Sequence, residues 1–492
     1  MSSVRSWRLA TPLSMLAAAT LLAACSTTPV GPDYKLPAEA IVSQPEAGKT
    51  FAGTQAAQPS PDAAVARPYT QAALPAHWWR LYRDPMLDAL VQQALAHNTD
   101  LRQAAANLER VQASEAEVDG ARKPTVGVSG GPSFGHVSGL SVLKPGYEPP
   151  DAFHYGVAGS VSYTLDLFGQ IRRASEAAQA GSEAAAAALD LARVGVAAGT
   201  ARAYAELCST GLRLQSARKS AALQQEVVEV SQRLQQAGRA GSIDTARARS
   251  QLQLLLASVP PLQAQRQSAM FRLATLTGSL PQQFEGAVAS CDTPPQVAGA
   301  VPVGDGAALL RRRPDIRQAE RELAAATARI GVAVADRYPK VTLGLSAGSA
   351  GLGSGFAKRD TLSWSLGPLI SWTLPNTGVV DARIAQSEAS TRMALAKFDG
   401  TVLTALRETE TALSAYAHEL DRRAALQASR DEAEVVSTQS RRLYQGGKVG
   451  YADALDAERS LATTEAALAA SEAQLADDQV VLFLALGGGW EP

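Results

Sequence analysis

Near the C-terminus, "YADALDAERSL" (451–461) places carboxylates at Asp453 and Asp456 and a guanidinium at Arg459. Side chains three and four apart meet on one helix face, so Asp456 and Arg459 can pair or reach a neighbouring chain; an ordinary solvated face of mixed charge has the same spacing. Covalent or acid–base chemistry would need a nucleophile, a base and an orienting group together, and no such set is grouped in the sequence. The five histidines, at 77, 97, 136, 154 and 418, lack metal-ligand spacing. "GLGSGF" (351–356) looks like a phosphate loop, but no strand-to-helix unit surrounds it, so it reads as a turn. "RRRPD" (311–315) repeats the plainer "HNTD" (97–100) and reads as a helix start. With 46 basic and 47 acidic residues the chain offers no nucleic-acid surface. Neither an enzyme nor a bound cofactor is expected.

One thiol stands out by its place. The first nine residues carry Arg5 and Arg8 without an acid, and Leu9 to Ala24 is mostly Leu, Ala and Met, the pattern of a secretory signal peptide over 1–24. It ends Leu22-Ala23-Ala24-Cys25, which resembles the bacterial lipoprotein lipobox. That resemblance implies a covalent lipid on Cys25 as the new N-terminus, and Ser26 in place of an aspartate points to the outer membrane. The other cysteines, Cys208 and Cys291, are too few for a disulfide framework; a bridge is open to them in the periplasm, but two separate buried thiols are the expectation. No later run offers about 20 unbroken apolar residues, so any membrane crossing falls to strands.

The elements that must position these groups come twice. Asp100-Leu101-Arg102-Gln103-Ala104 returns as Asp315-Ile316-Arg317-Gln318-Ala319, and Ser162-Tyr163-Thr164-Leu165 returns as Ser371-Trp372-Thr373-Leu374. Gly169, Gly241 and Asp244 return as Gly378, Gly450 and Asp453, with a longer loop, "GHVSGLSVLKPGYEPPDA" (135–152), in the first copy. After a linker over 25–77, of which Ala38 to Ala76 is expected to wrap loosely, the repeats span 78–290 and 291–492.

Each repeat holds two stretches of period-two alternation, about 124–136 and 153–167, then about 340–350 and 361–373. Large apolar side chains alternate there with Gly, Ser and Thr over lengths that would cross a bilayer. Four strands cannot close around a pore, since even eight leave room only for side chains. They form a sheet in a soluble domain, or several chains contribute four each. The remainder is helix: proline-free runs over about 169–237 and 378–446, each some 100 Å long, must pack as coiled coils. Each ends in a glycine-marked turn before a return helix, about 242–278 and 451–486, the first of which Pro260-Pro261 should kink or break.

Together the lipobox, "GPDYKLP" (31–37), "WWRLYRDPMLDALVQQALAHNTDLRQA" (78–104), "LDLFGQIRRA" (165–174), the run from "RRRPDIRQAERELAAATARIGVAVADRYPKVTL" (311–343), "LDAERSL" (455–461) and "ALGGGW" (485–490) closely resemble the TolC-type outer-membrane factors. The branch resembled is the NodT/OprM-like lipoproteins of resistance-nodulation-division (RND) efflux systems. The resemblance implies a mainly α chain with a transmembrane β-barrel portion, four strands from each of three copies making a 12-stranded barrel continued by a helical coiled-coil barrel. It implies a homotrimer in the outer membrane, working with a periplasmic adaptor and an inner-membrane RND-type pump as a passive, gated exit duct. Adaptor docking would fall on Gly238, Ala240 and Gly241 and on Gly447, Val449 and Gly450. The periplasmic gate would fall on Asp453, Asp456 and Arg459, with Ala452 where the family often has an apolar plug. A lipid-anchored periplasmic coiled-coil scaffold without a pore is the alternative, and it leaves the four amphipathic strands unexplained.

Overall fold

The computed structural model describes residues 28–56, 68–139, 143, 145–239, 241–284, 288, 290–297, 299–372 and 377–488. In chain order its elements are α1 (Ala52–Ala56), β1 (Tyr69–Thr70), α2 (Pro85–His97), α3 (Thr99–Gly120), β2 (Thr125–Gly135), β3 (Ala152–Leu165), α4 (Gln170–Gln236), α5 (Ser242–Ala257) and α6 (Val259–Leu276), then β4 (Val301–Pro302), α7 (Gly306–Arg312), α8 (Pro314–Ala335), β5 (Lys340–Leu352), β6 (Leu362–Ser371), α9 (Thr377–Gln445) and α10 (Tyr451–Ala485). Two compact units draw on both repeats: one holds the residues up to Leu36, Glu109–Ala184 and Glu320–Ala396, the other Pro37–Leu108, Ala185–Ala319 and the residues from Lys397.

In the first unit, β2, β3, β5 and β6 form an antiparallel sheet in that order. The register explains the alternation. Val126, Val161, Leu345 and Leu366 make one row across all four strands, and Gly127, Ser160, Ser346 and Ser365 make the adjoining row on the opposite face. The apolar row is exposed, Val126 to 75% and Leu366 to 70%, and the next row out adds Trp364 at 77%. The other face is a ladder of hydroxyls: Ser346 and Ser365 lie 2.8 Å apart, Thr125 and Ser162 2.7 Å. A greasy face left in solvent and a polar face of small side chains is the reverse of a soluble sheet, and it is what a lipid-facing barrel wall requires. Among the described residues the outer edges of β2 and β6 have no strand partner. The β5–β6 connection carries "GLGSGF" as a turn, tied to β3 by the Tyr155 hydroxyl, which meets Ser349 at 2.7 Å and Thr361 at 3.0 Å.

The second unit is mainly helical. Helices α4 and α9 run for 67 and 69 residues and continue into it past Ala184 and Ala396, and the alanines of α4 there (Ala197, Ala198, Ala201) are buried in the core with Trp78, Trp79 and Phe483. The repeats reuse one device at their helix ends. Asn98, before α3, caps that helix through its oxygen and donates its amide to the Leu276 carbonyl at the end of α6 (3.0 Å). Arg313, the counterpart before α8, donates to the Ala485 carbonyl at the end of α10 (2.8 Å) and also grips Asp315 and Glu408. Gly278 and Gly487 follow those helices at φ +69° and +68°, the left-handed conformation that ends a helix at small cost only for glycine. "RRRPD" therefore starts a helix and closes another.

Two expectations are corrected. Cys208 and Cys291 are disulfide-bonded across 83 residues of sequence, not separate thiols. The segment between the repeats crosses α4 at Gly211, where a Cβ would sit 2.3 Å from the Cys291 carbonyl oxygen, so the missing side chain lets the two cysteines meet. The described part of 38–76 is not a loose wrap: the Ile41 amide donates to Asp399, the Ala52 and Gly53 amides donate to Glu410, and β1 pairs in parallel with β4. The return helix of the first repeat breaks at Ser258, and Pro260 and Pro261 fall in the first turn of α6, where a missing N–H costs nothing.

Leu366→Lys, on the exposed apolar face of β6, is expected to weaken membrane insertion by about 2–4 kcal/mol, whereas Ser365→Lys on the hydroxyl face is tolerated. Yields of heat-modifiable protein in purified outer membranes measure both; equal loss from the two would contradict the assigned faces.

Candidate functional site at the two hairpin turns

Helices α4 and α9 end in the same way. The Arg239 amide donates to the Leu234 carbonyl (2.8 Å) and the Gly238 amide to Gln235 (3.0 Å); Lys448 and Gly447 repeat this with Leu443 and Tyr444, both at 2.9 Å. This double bond pattern needs a left-handed residue, supplied by Gly238 at φ +68° and Gly447 at φ +69°. A Cβ on either glycine would meet nothing within 4 Å, so conformation and not crowding within the chain demands them. Gly241 and Gly450 then start the return helices without a side-chain cap. Asp244 and Asp453 supply the negative charge that an open helix N-terminus favours. Val449 is half-buried and Gly450 exposed; Ala240, like Cys25, lies outside the described residues.

Beyond Gly450, Ala452, Asp453, Asp456 and Arg459 share the exposed face of α10. Arg459 turns away from Asp456 and donates to Gln251 on α5 (3.0 Å), linking the two hairpins. Neither Asp453 nor Asp456 has an ion-pair partner among the described residues. The face behind them is fixed: Tyr451 and Leu455 are buried against Val228, Ala248 and Leu252 of the first hairpin. The buried Gln224 amide donates to the Ala248 carbonyl (3.1 Å).

Each hairpin also carries a clip across its two arms that sequence reasoning missed. In the second it is Arg441 to Glu458, 3.2 Å. At the corresponding positions of the first, Gln232, with its amide oxygen turned to Arg249, accepts from that guanidinium at 2.7 Å. The signal lay in the repeat itself, because aligning the two turns brings both pairs into the same columns. The Glu458 carboxyl is pushed above its ordinary value: burial outweighs the Arg441 guanidinium, and Glu226 adds to the upward shift. The exposed carboxylates can bind cations or repel one another, and among the described residues no three metal-ligating side chains cluster.

A family model described as outer membrane efflux protein matches residues 90–279 and 307–488. The chain is 30% identical over 418 residues to nodulation protein T of Rhizobium leguminosarum bv. trifolii, covering 84% of this chain and 88% of that protein. To the solvent efflux pump outer membrane protein SrpC of Pseudomonas putida it is 30% identical over 486 residues, 96% of each. Among solved structures, the outer-membrane channel OprN is 35% identical with a TM-score of 0.85 over 94% of this chain and all of that one. The outer membrane protein VceC of Vibrio cholerae is 26% identical with a TM-score of 0.78 over 85% of this chain.

A carboxyl whose folded-state pKa is raised holds its proton more tightly than in the unfolded chain. Its contribution is therefore most favourable below the unfolded value of about 4.3 and is lost as pH rises through the folded one. Glu458→Gln, which keeps an acceptor for Arg441, should slow amide exchange over 451–461 at neutral pH and have no effect at acid pH; faster exchange at neutral pH would contradict the raised carboxyl.

Proposed function

The chain belongs to the outer membrane efflux proteins, and from that membership we propose that three copies build the outer-membrane exit duct of a tripartite efflux system, a passive conduit gated at its periplasmic end. The observation that carries this reading is the four-stranded sheet with an exposed apolar face, a hydroxyl-lined face and two open edges. Twelve such strands enclose a water-filled lumen where four cannot. The pore-free scaffold would leave that apolar face in water, so the sheet argues against it.

The chain supplies no energy and no reaction is assigned to it; an inner-membrane pump of the RND type drives transport, and a periplasmic adaptor docks on the hairpin turns. Gly238, Gly241, Gly447 and Gly450 suit docking because open space surrounds Gly238 and Gly447 and no side chain stands in the way of an incoming backbone; Val449 adds to that surface, and Ala240, outside the described residues, is assigned to docking by the family resemblance alone. Asp453 and Asp456, repeated by three chains, make two rings of carboxylates at the constriction. Arg459 holds them there by tying α10 to Gln251, and Ala452 leaves the plug to charge and bound cations, not to packing. Acylation of Cys25 anchors the duct in the outer membrane; multiple chains on one N-terminus suffice for that.

Single-channel conductance in planar bilayers tests the gate. The wild type is expected to conduct little, and Asp453→Ala/Asp456→Ala severalfold more. A wild type already as wide as the double variant would remove this gate, and no conductance from either folded protein would favour the scaffold.

A further inference from the structure

The short segment that leads from the proposed lipid site is held more firmly than a passive leader needs. Arg173, in the first turn of α4, has a side chain only 4% exposed. It donates to the Val30 and Gly31 carbonyls (both 3.2 Å), to Asp33 (2.6 Å) and to Glu176 (2.7 Å). The Val30 amide donates to the Phe168 carbonyl at 3.1 Å, just past the end of β3. Two crossings admit only glycine: a Cβ on Gly31 (φ +85°) would lie 2.5 Å from Gly331 Cα, and one on Gly169 (φ +77°) 2.3 Å from Pro29 Cβ. The Tyr34 hydroxyl then donates to Glu320 (2.6 Å), and the Arg321 guanidinium lies 5.6 Å from the Tyr34 ring centre. From Pro29 to Tyr34 the chain is clamped at the foot of the sheet by groups that serve neither the lumen-facing hydroxyls nor the turns.

The clamp ends close to Cys25. Between Cys25 and Pro29 a fully extended chain reaches at most about 14 Å. An aromatic rim begins at Phe168, whose carbonyl the Val30 amide meets. Phe168 stacks on Tyr338 (4.4 Å, 14°), and the Trp372 indole donates to the Arg337 carbonyl beside it. Trp372, just past β6, is 54% exposed, and Ile370 near the end of that strand faces outward with the apolar rows. Tyr and Trp at the end of a lipid-facing sheet mark the level of the headgroups.

We propose that the Arg173 clamp is a ruler for the anchor: it sets the acyl chains on Cys25 down against the Tyr338–Trp372 rim of the chain's own sheet, with Arg173 as the positioning residue. This rests on the acylation of Cys25 proposed above. The occupant of the rim is thus part of this chain and not a free phospholipid, because the tether is too short for the anchor to insert far from it.

The test uses full-length protein in bacteria fed an alkyne-tagged fatty acid, with Tyr338→p-benzoylphenylalanine as photocrosslinker. The expected product joins the tagged N-terminal peptide to the peptide carrying position 338. Arg173→Gln is expected to lower its yield severalfold while total tag on the chain stays unchanged. An insertion of eight Gly/Ser residues between Ser26 and Thr27 leaves every clamp contact intact and guards against misfolding of the Arg173 variant. Lengthening the free tether about threefold should cut the yield about fivefold by the −3/2 power dependence on length. Unchanged yield in the insertion variant, or a tagged wild type without crosslink, overturns the ruler. A wild type without tag overturns the acylation itself.

Discussion

A backbone N–H or C=O cannot stay unpaired in hydrocarbon, and everything else in this chain answers to that constraint. The sheet of β2, β3, β5 and β6 turns its valines, leucines and Trp364 outward, yet among the described residues its outer edges on β2 and β6 have no strand partner. In the proposed duct, further copies of the same edge-bearing sheet pair with them. The helices grow from the strands: Asp166, just past β3, accepts from the Ile171 and Arg172 amides at 3.0 and 2.8 Å and so starts α4. A barrel wall and a helical wall are in this way one continuous piece of chain.

Duplication kept the backbone devices and changed the charges. Asn98 and Arg313 close equivalent helix ends, Gly278 and Gly487 follow them, and Gly238 and Gly447 make identical turns. By contrast, the position of Asp456 holds Arg247 in the first repeat, the Arg441–Glu458 clip is Gln232–Arg249 there, and the Cys208–Cys291 disulfide ties α4 of the first repeat to the segment between the repeats. The geometry of a hairpin tip is thus common to both halves, and the concentration of carboxylates is special to the second. The gate proposed for the second hairpin comes from the family resemblance at Asp456 and Arg459, and this difference in charge agrees with it.

The sheet and the long helices were legible because they depend on local periods: two for Val157, Val161 and Tyr163, and sustained runs of helix formers without proline for α4 and α9. The break at Ser258 followed from Pro260-Pro261, although the prolines sit inside the new helix and not at a kink. What the sequence hid depends on chain crossings. The disulfide needs Gly211 under the Cys291 carbonyl, and the N-terminal clamp needs Gly31 on Gly331 and Pro29 on Gly169. Nothing in a single sequence pairs such distant glycines with their neighbours. At the tip, the spacing put Asp456 and Arg459 on one face, but Arg459 chose Gln251, a partner visible only once α5 lies beside α10.

The most direct measurement is electron cryo-microscopy of the detergent-purified, nanodisc-reconstituted protein, read at the outer edges of β2 and β6. The expected density shows β6 of each chain hydrogen-bonded to β2 of the next, three chains closing twelve strands around a lumen. Edges left unpaired, or joined within one chain, would contradict the duct.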